Sequence, residues 1–149
     1  MNEQDEARSV LMSTLAQAKW ADFAELWASL GMDPEFEMVR GPEIGLIALR
    51  GRIGGGGSPF NFGEATATRA TVKLKNGTVG HAVVLGRDAA KAKVAAVVDA
   101  MAQDPAQCAL IDEKLITPLN AIQAKADRDL AAETAATKVD FFTMVRGDN

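Results

Sequence analysis

A chain of 149 residues is long enough for one domain around one core. With 24% charged residues and a net charge of −4, it lacks the basic excess that draws a protein to nucleic acid or anionic membranes. It also lacks the run of about 18 apolar residues needed for a membrane-spanning helix.

The start, Met1 to Arg8, is acidic and polar. A secretory signal begins basic and then turns apolar, so a cytoplasmic location is expected. Helical periodicity appears from about Asp5 to Ala18, where Val10, Leu11, Thr14, Leu15 and Ala18 share a face. A second helix is predicted from about Ala21 to Leu30. Phe23, Leu26, Trp27 and Leu30 form its buried stripe, and Gly31 stands where a C-terminal cap belongs. The pair reads as a helical hairpin packed on a sheet.

Phe36 to Arg40 is a short predicted strand that Gly41-Pro42 interrupts. Ile44 to Ile53 is a longer one. It is apolar on both faces at its start, as a central strand would be, and Arg50 and Arg52 continue the Ile44 face. Gly54 to Gly57 with Ser58-Pro59 must be a loop. Strands at Glu64 to Lys75 and Thr78 to Leu85 flank Asn76-Gly77, the signature of a two-residue type I′ hairpin. That turn would pair Leu74 with Val79, Val72 with His81 and Ala70 with Val83 on the core face. Arg69, Thr71 and Lys73 would then lie opposite Val84, Ala82 and Gly80 on the other face.

Asp88 is placed to cap a helix buried through Val94, Val97, Val98 and Met101. Asp104-Pro105 starts a short helix, and Thr117-Pro118 repeats the device. The last helix would run from Pro118 to about Val139. It is Ala-rich, carries charge throughout and lacks a strong apolar stripe, so it is suited to bridging toward a partner. Phe141, Phe142, Met144 and Val145 form an apolar cluster next to Arg146. Free tails seldom carry such residues, so this segment is expected to dock as a partner interface. Scarce aromatics and many small residues also fit a subunit that gains stability from neighbours, or simply an Ala-rich monomer.

The fold class expected is therefore α+β in a single domain. Residues 1–31 are helical, 35–85 strand-rich with a mostly antiparallel sheet, 88–140 helical, and 141–149 an apolar tail.

The chemistry is sparse. The glycine loop lacks the Gly-Lys-Ser/Thr of a nucleoside-triphosphate loop and leads from strand to strand, so both glycine-rich nucleotide motifs fail. A flexible loop is preferred over a phosphate cradle. Arg50, Arg52, Gly54, Gly55, Arg69 and Lys73 are the candidate phosphate- or substrate-binding residues, since neighbouring strands could gather these cations around an anion. The alternative is a solvated face or ion pairs. His81, the sole histidine, reads as a core residue rather than an acid or base, and Cys108, the sole cysteine, as buried packing. One of each builds neither an internal disulfide nor a Cys/His zinc site. No metal or resident cofactor is expected, and no catalytic residue can be named.

Five segments resemble the PhnG family of the bacterial carbon–phosphorus lyase system. They are Gly45-Leu46-Ile47, Arg52-Ile53-Gly54-Gly55, Phe62–Arg69 (FGEATATR), Val84–Asp88 (VLGRD) and Lys138–Asn149 (KVDFFTMVRGDN). The resemblance extends from about Ala16 to the last residue, and the terminal dodecamer is its most specific part. The first helix departs most. The family pattern admits tyrosine at His81, which argues against an obligatory proton-transfer role there.

The resemblance implies a cytoplasmic subunit that assembles with PhnI, PhnH and PhnJ, and with PhnL or PhnK, in phosphonate catabolism. Such a complex joins methylphosphonate to the ribose C1′ of ATP or GTP and releases the base. The product from ATP is α-D-ribose 1-methylphosphonate 5-triphosphate. The nucleosidase chemistry lies on PhnI, and a later radical step on PhnJ breaks the carbon–phosphorus bond. Two roles remain open for this chain: an accessory subunit whose cations hold the triphosphate or phosphonate, or a purely structural assembly subunit without substrate contact. The second is preferred.

Overall fold

A computed structural model of the chain describes residues 3–138. Five helices and three strands follow in the order α1 (Glu3–Gln17), α2 (Trp20–Ser29), β1 (Phe36–Arg52), β2 (Pro59–Leu74), β3 (Val79–Leu85), α3 (Ala89–Met101), α4 (Pro105–Ile111) and α5 (Thr117–Ala136). The strands form one antiparallel sheet in the order β1-β2-β3. The α+β reading holds, with helices before and after the sheet.

The core forms where α3 lies on β2 and β3. Ala92, Ala95, Ala96 and Ala100 of α3 are buried beside Ala70, Val72, Ala82 and Val84 of the sheet. Small side chains let the two layers approach closely. The limit is reached at Gly80, where a Cβ would lie 2.0 Å from the Ala96 carbonyl oxygen and 2.6 Å from the Ala100 nitrogen. Leu11, Leu15 and Phe23 close the core from α1 and α2, and Trp20 meets Phe23 edge-on at 5.6 Å. The helical pair thus packs chiefly beside α3, which is the helix that lies on the sheet. Gly31 ends α2 with φ +63, as the sequence indicates. Val10, expected on the inner face of α1, is 59% exposed.

Two polar pins hold α3. Asp99, 1% exposed, accepts from Arg8 Nε and Nη2 at 2.7 Å each and from the His81 backbone N–H at 2.8 Å. Lys91, also buried, donates from Nζ to the Ala16 carbonyl at 2.7 Å, which satisfies an orphan acceptor at the end of α1. Thr68 braces the turn into α3. Its hydroxyl donates to the Gly86 carbonyl at 2.6 Å and accepts from the Asp88 N–H at 3.1 Å. Asp88 and Asp104 cap α3 and α4 through the N–H groups of Lys91 and Ala106, as expected.

Four expectations are corrected. First, Gly41-Pro42 does not split the strand. β1 runs through it with bulges between Met38 and Arg40 and between Arg40 and Glu43, because an edge strand tolerates a proline that cannot donate. Second, β1 is therefore an edge strand, and β2 is central.

Third, the hairpin register is one residue away from that expected. Thr71 faces His81, Val72 faces Gly80 and Lys73 faces Val79. Gly77 donates to the Leu74 carbonyl at 2.8 Å, and of the turn residues Gly77 alone has positive φ, so the turn spans Lys75, Asn76 and Gly77 and is not type I′. A slip of one residue exchanges the faces of a strand. Gly80, Ala82 and Val84 face α3, while His81 is exposed with its Nδ1 3.0 Å from the Thr71 hydroxyl.

Fourth, Thr117 does not cap a new helix. The backbone continues from α4 through a π-type turn, Asp112–Ile116, into α5. That wider turn relieves the clash Pro118 would make inside a regular α-helix. α5 ends at Ala136, and beyond Leu119 nearly all of its residues are exposed.

Candidate functional site

The predicted cations all lie on the ribbon formed by β1 and β2, but the structure does not gather them. Arg69 stands opposite Glu43 and Lys73 opposite Glu37, near the root of the ribbon. Arg50 pairs with Asn61 and Arg52 with Pro59, at its far end. Asn61 lies eight residues along β2 from Arg69, or roughly 26 Å of extended strand. Lys73 lies four residues further still.

The root cations are engaged. Arg69 Nε and Arg40 Nε each lie 3.1 Å from Glu43 Oε2. Hydrogen bonding from Arg40, then from Arg69, holds the Glu43 carboxyl below the ordinary carboxylate range. Lys73 meets Glu37 at 2.5 Å and Lys75 meets Glu35 at 2.7 Å. This face of the root is a lattice of exposed ion pairs. The sequence showed the cations but not these partners, because the cross-strand pairs depend on the register of β1 against β2.

The far end differs. Among the described residues, Arg50 and Arg52 form no ion pair. Between Glu43 and Glu64 there is no acidic residue at all. Ile53 begins a tight turn in which Gly54 and Gly55 take φ +64 and +77, so the glycine run serves as the hairpin tip. Phe60 and Phe62 lie beside it with ring centroids 6.1 Å apart.

A separate cleft of about 360 Å³ lies between α1 and α5. Ser9, Ser13, Thr14, Gln17, Asn120 and Gln123 give it hydroxyl and amide walls without a cation. Among the described residues no group of three His, Cys, Asp or Glu side chains is placed to hold a metal ion. No described helix is long and apolar enough to cross a membrane. Cys108 is half-buried. The tail residues Phe141, Phe142, Met144, Val145 and Arg146 lie outside the described residues.

Comparison with known proteins gives two findings. The family model described as "Phosphonate metabolism protein PhnG" matches residues 6–147. A curated protein of Rhizobium meliloti (strain 1021) is 49% identical over 141 residues, covering 93% of this chain and 88% of the relative. It is named alpha-D-ribose 1-methylphosphonate 5-triphosphate synthase subunit PhnG.

Proposed function

The chain belongs to the PhnG family, and on that premise we propose that it is a subunit of an α-D-ribose 1-methylphosphonate 5-triphosphate synthase. The observation that carries this reading is the 49% identity, spread over 93% of the chain, to a protein named as that subunit. The complex acts in the cytoplasm on phosphonates and ATP or GTP, and the neighbours of this chain are PhnI, PhnH and PhnJ, with PhnL or PhnK. Its class of reaction is transfer of the ribosyl triphosphate from the nucleobase to a phosphonate oxygen.

Forming that product requires stabilisation of a ribose with oxocarbenium character and cations for the triphosphate. In this reading the neighbours supply the first, and this chain shapes and holds them. Two features support a role in assembly. The second half of α5 extends away from the core with its side chains exposed. The far part of the β1–β2 ribbon leaves Ile44, Leu46, Phe60 and Phe62 uncovered.

The test is co-expression of the other subunits with and without this chain, followed by measurement of adenine release from ATP and methylphosphonate. The expected result is an assembled, active complex only when the chain is present. A complex that assembles and releases adenine at the same rate without it would overturn the proposal. So would turnover by the purified chain alone.

A further inference from the structure

We infer that one face of the far ribbon, formed by Ile44, Leu46, Arg50 and Arg52, docks on a neighbouring subunit that presents an apolar patch bordered by carboxylates. The inference rests on the reading of the chain as a subunit of a complex, and it names the surface and the chemistry of what the surface meets.

Alternation along β1 places Ile44, Leu46 and Ala48 on a single face; the register shifts between Leu49 and Arg50, but the extra residue, Phe62, lies on β2, so β1 keeps its alternation and brings Arg50 and Arg52 to the same face. It continues the face that α3 covers at the root of β2. There Val72 is fully buried. Ile44 is 50% and Leu46 66% exposed, although Thr68 beside Ile44 on β2 is fully buried. The opposite face carries the Phe60–Phe62 pair. The Phe62 ring lies over Gly51, where a Cβ would come within 3.1 Å of it, which stiffens the arm from behind.

Charge then specifies the occupant. Arg40, Arg69, Lys73 and Lys75, the cations of the root, are all matched by glutamates of this chain. Among the described residues, only Arg50 and Arg52 are unmatched on the ribbon, in a stretch that excludes acidic residues within a chain of net charge −4. A surface with apolar ground and acidic edges satisfies all four side chains together. Arginine is over-represented among the residues that dominate interfaces, and the aliphatic pair supplies apolar ground beside it. A nucleotide triphosphate would satisfy the arginines but would leave Ile44 and Leu46 against solvent.

The experiment is competitive incorporation. Wild-type chain and a differently tagged Arg50→Glu/Arg52→Glu variant, both full length, are co-expressed with PhnI, PhnH and PhnJ. Their ratio in the purified complex is then compared with their ratio in the whole cell. The variant should be depleted at least about 30-fold, equivalent to about 2 kcal/mol. Its melting temperature alone should match wild type, since the altered side chains touch no core. Leu46→Ser, a milder change on the same face, should be depleted about 10-fold, and it keeps the test decisive if charge reversal lowers the yield.

Incorporation of both variants at parity would overturn the docking inference while leaving the subunit assignment intact. Parity accompanied by a raised KM for ATP would also overturn it, and would give the arginines to the triphosphate instead. Failure of the wild-type chain itself to incorporate would remove the subunit assignment and the docking inference together.

Discussion

The β1–β2 ribbon is a single pair of strands whose two halves sit in different surroundings. At the root, one face of β2 is sealed under α3 and the other is tied across to β1 by Glu37–Lys73 and Arg40–Glu43–Arg69. In the far half the same strands carry exposed aliphatic and aromatic side chains, and arginines that form no ion pair among the described residues. The root has the composition of a self-sufficient sheet. The far half has the composition of an interface, because an exposed two-faced apolar strand is stable in solution only at the risk of pairing with something else. Stability should therefore be concentrated in the root and assembly in the far half, and substitutions can separate the two.

The largest expected effect lies in the root. Gly80→Ala would drive a methyl group against the Ala96 carbonyl and the Ala100 nitrogen, which are backbone atoms of α3 that cannot rotate away. A loss of about 3 kcal/mol or more is expected from urea unfolding. A loss below about 1 kcal/mol would mean that α3 does not sit so close to β3. The sheet root would then be less tightly sealed than the comparison requires.

Asp99→Ala should come next, at roughly 2–3 kcal/mol. It leaves the His81 N–H without its acceptor and cuts α1 loose from α3 through Arg8. Arg8→Ala should be milder, because its guanidinium is 48% exposed and water replaces part of the bond. Equal losses for the two variants would show that the Arg8 pair, and not the His81 contact, carries the pin.

These two positions also show how far the sequence could be read. Helix starts at Asp88 and Asp104, the stop at Gly31 and the inner face of β2 were all legible, because each follows from local chemistry within a few residues. The register of β3 was not. Its more apolar face, Val79 and Val83, resembles a core face, yet α3 needs the smaller face of Gly80 and Ala82 to approach. Hydrophobicity favoured one register and close packing the other, and packing won. Asp99 was missed by sequence reading, because its partners come from α1 and β3, far away in sequence.

The candidate site followed the same rule. Arg69 and Lys73 were placed on the correct face, whereas their glutamate partners depend on the register of β1 against β2. The apolarity of Ile44 to Leu49 on both faces was read as burial inside the sheet. The same pattern marks an edge that this chain leaves uncovered.

Lys91 gives a smaller, pH-dependent effect at the root. Burial pushes its ammonium below the ordinary lysine range, against a weaker pull upward from Asp88. Over the window between that lowered value and about 10.4, the unfolded chain holds more protons than the folded one. Stability contributed by this site therefore rises with pH across the window. A neutral amine keeps its hydrogen bond to Ala16 and sheds the desolvation penalty. Unfolding free energies of the wild type and of Lys91→Met, measured from pH 8 to pH 10.5, should diverge, with the wild type gaining on the variant. Parallel curves would show that Lys91 titrates as it does in water, and that the junction of α1 with α3 is wetter than the contacts imply.

The smallest stability effect should come from the far half, and its smallness is the point. Leu46→Ser, Arg50→Ala and Arg52→Ala replace exposed side chains outside the core. Each should change the unfolding free energy by less than about 0.5 kcal/mol. If any of them lowered it by more than about 1 kcal/mol, the far strands would be contributing to the chain's own core, and the division between a root that folds and an arm that binds would fail. Near-zero values, beside the loss expected for Gly80→Ala, would mean that folding does not require these side chains as they stand. Their use to the protein would then lie in contact with another molecule.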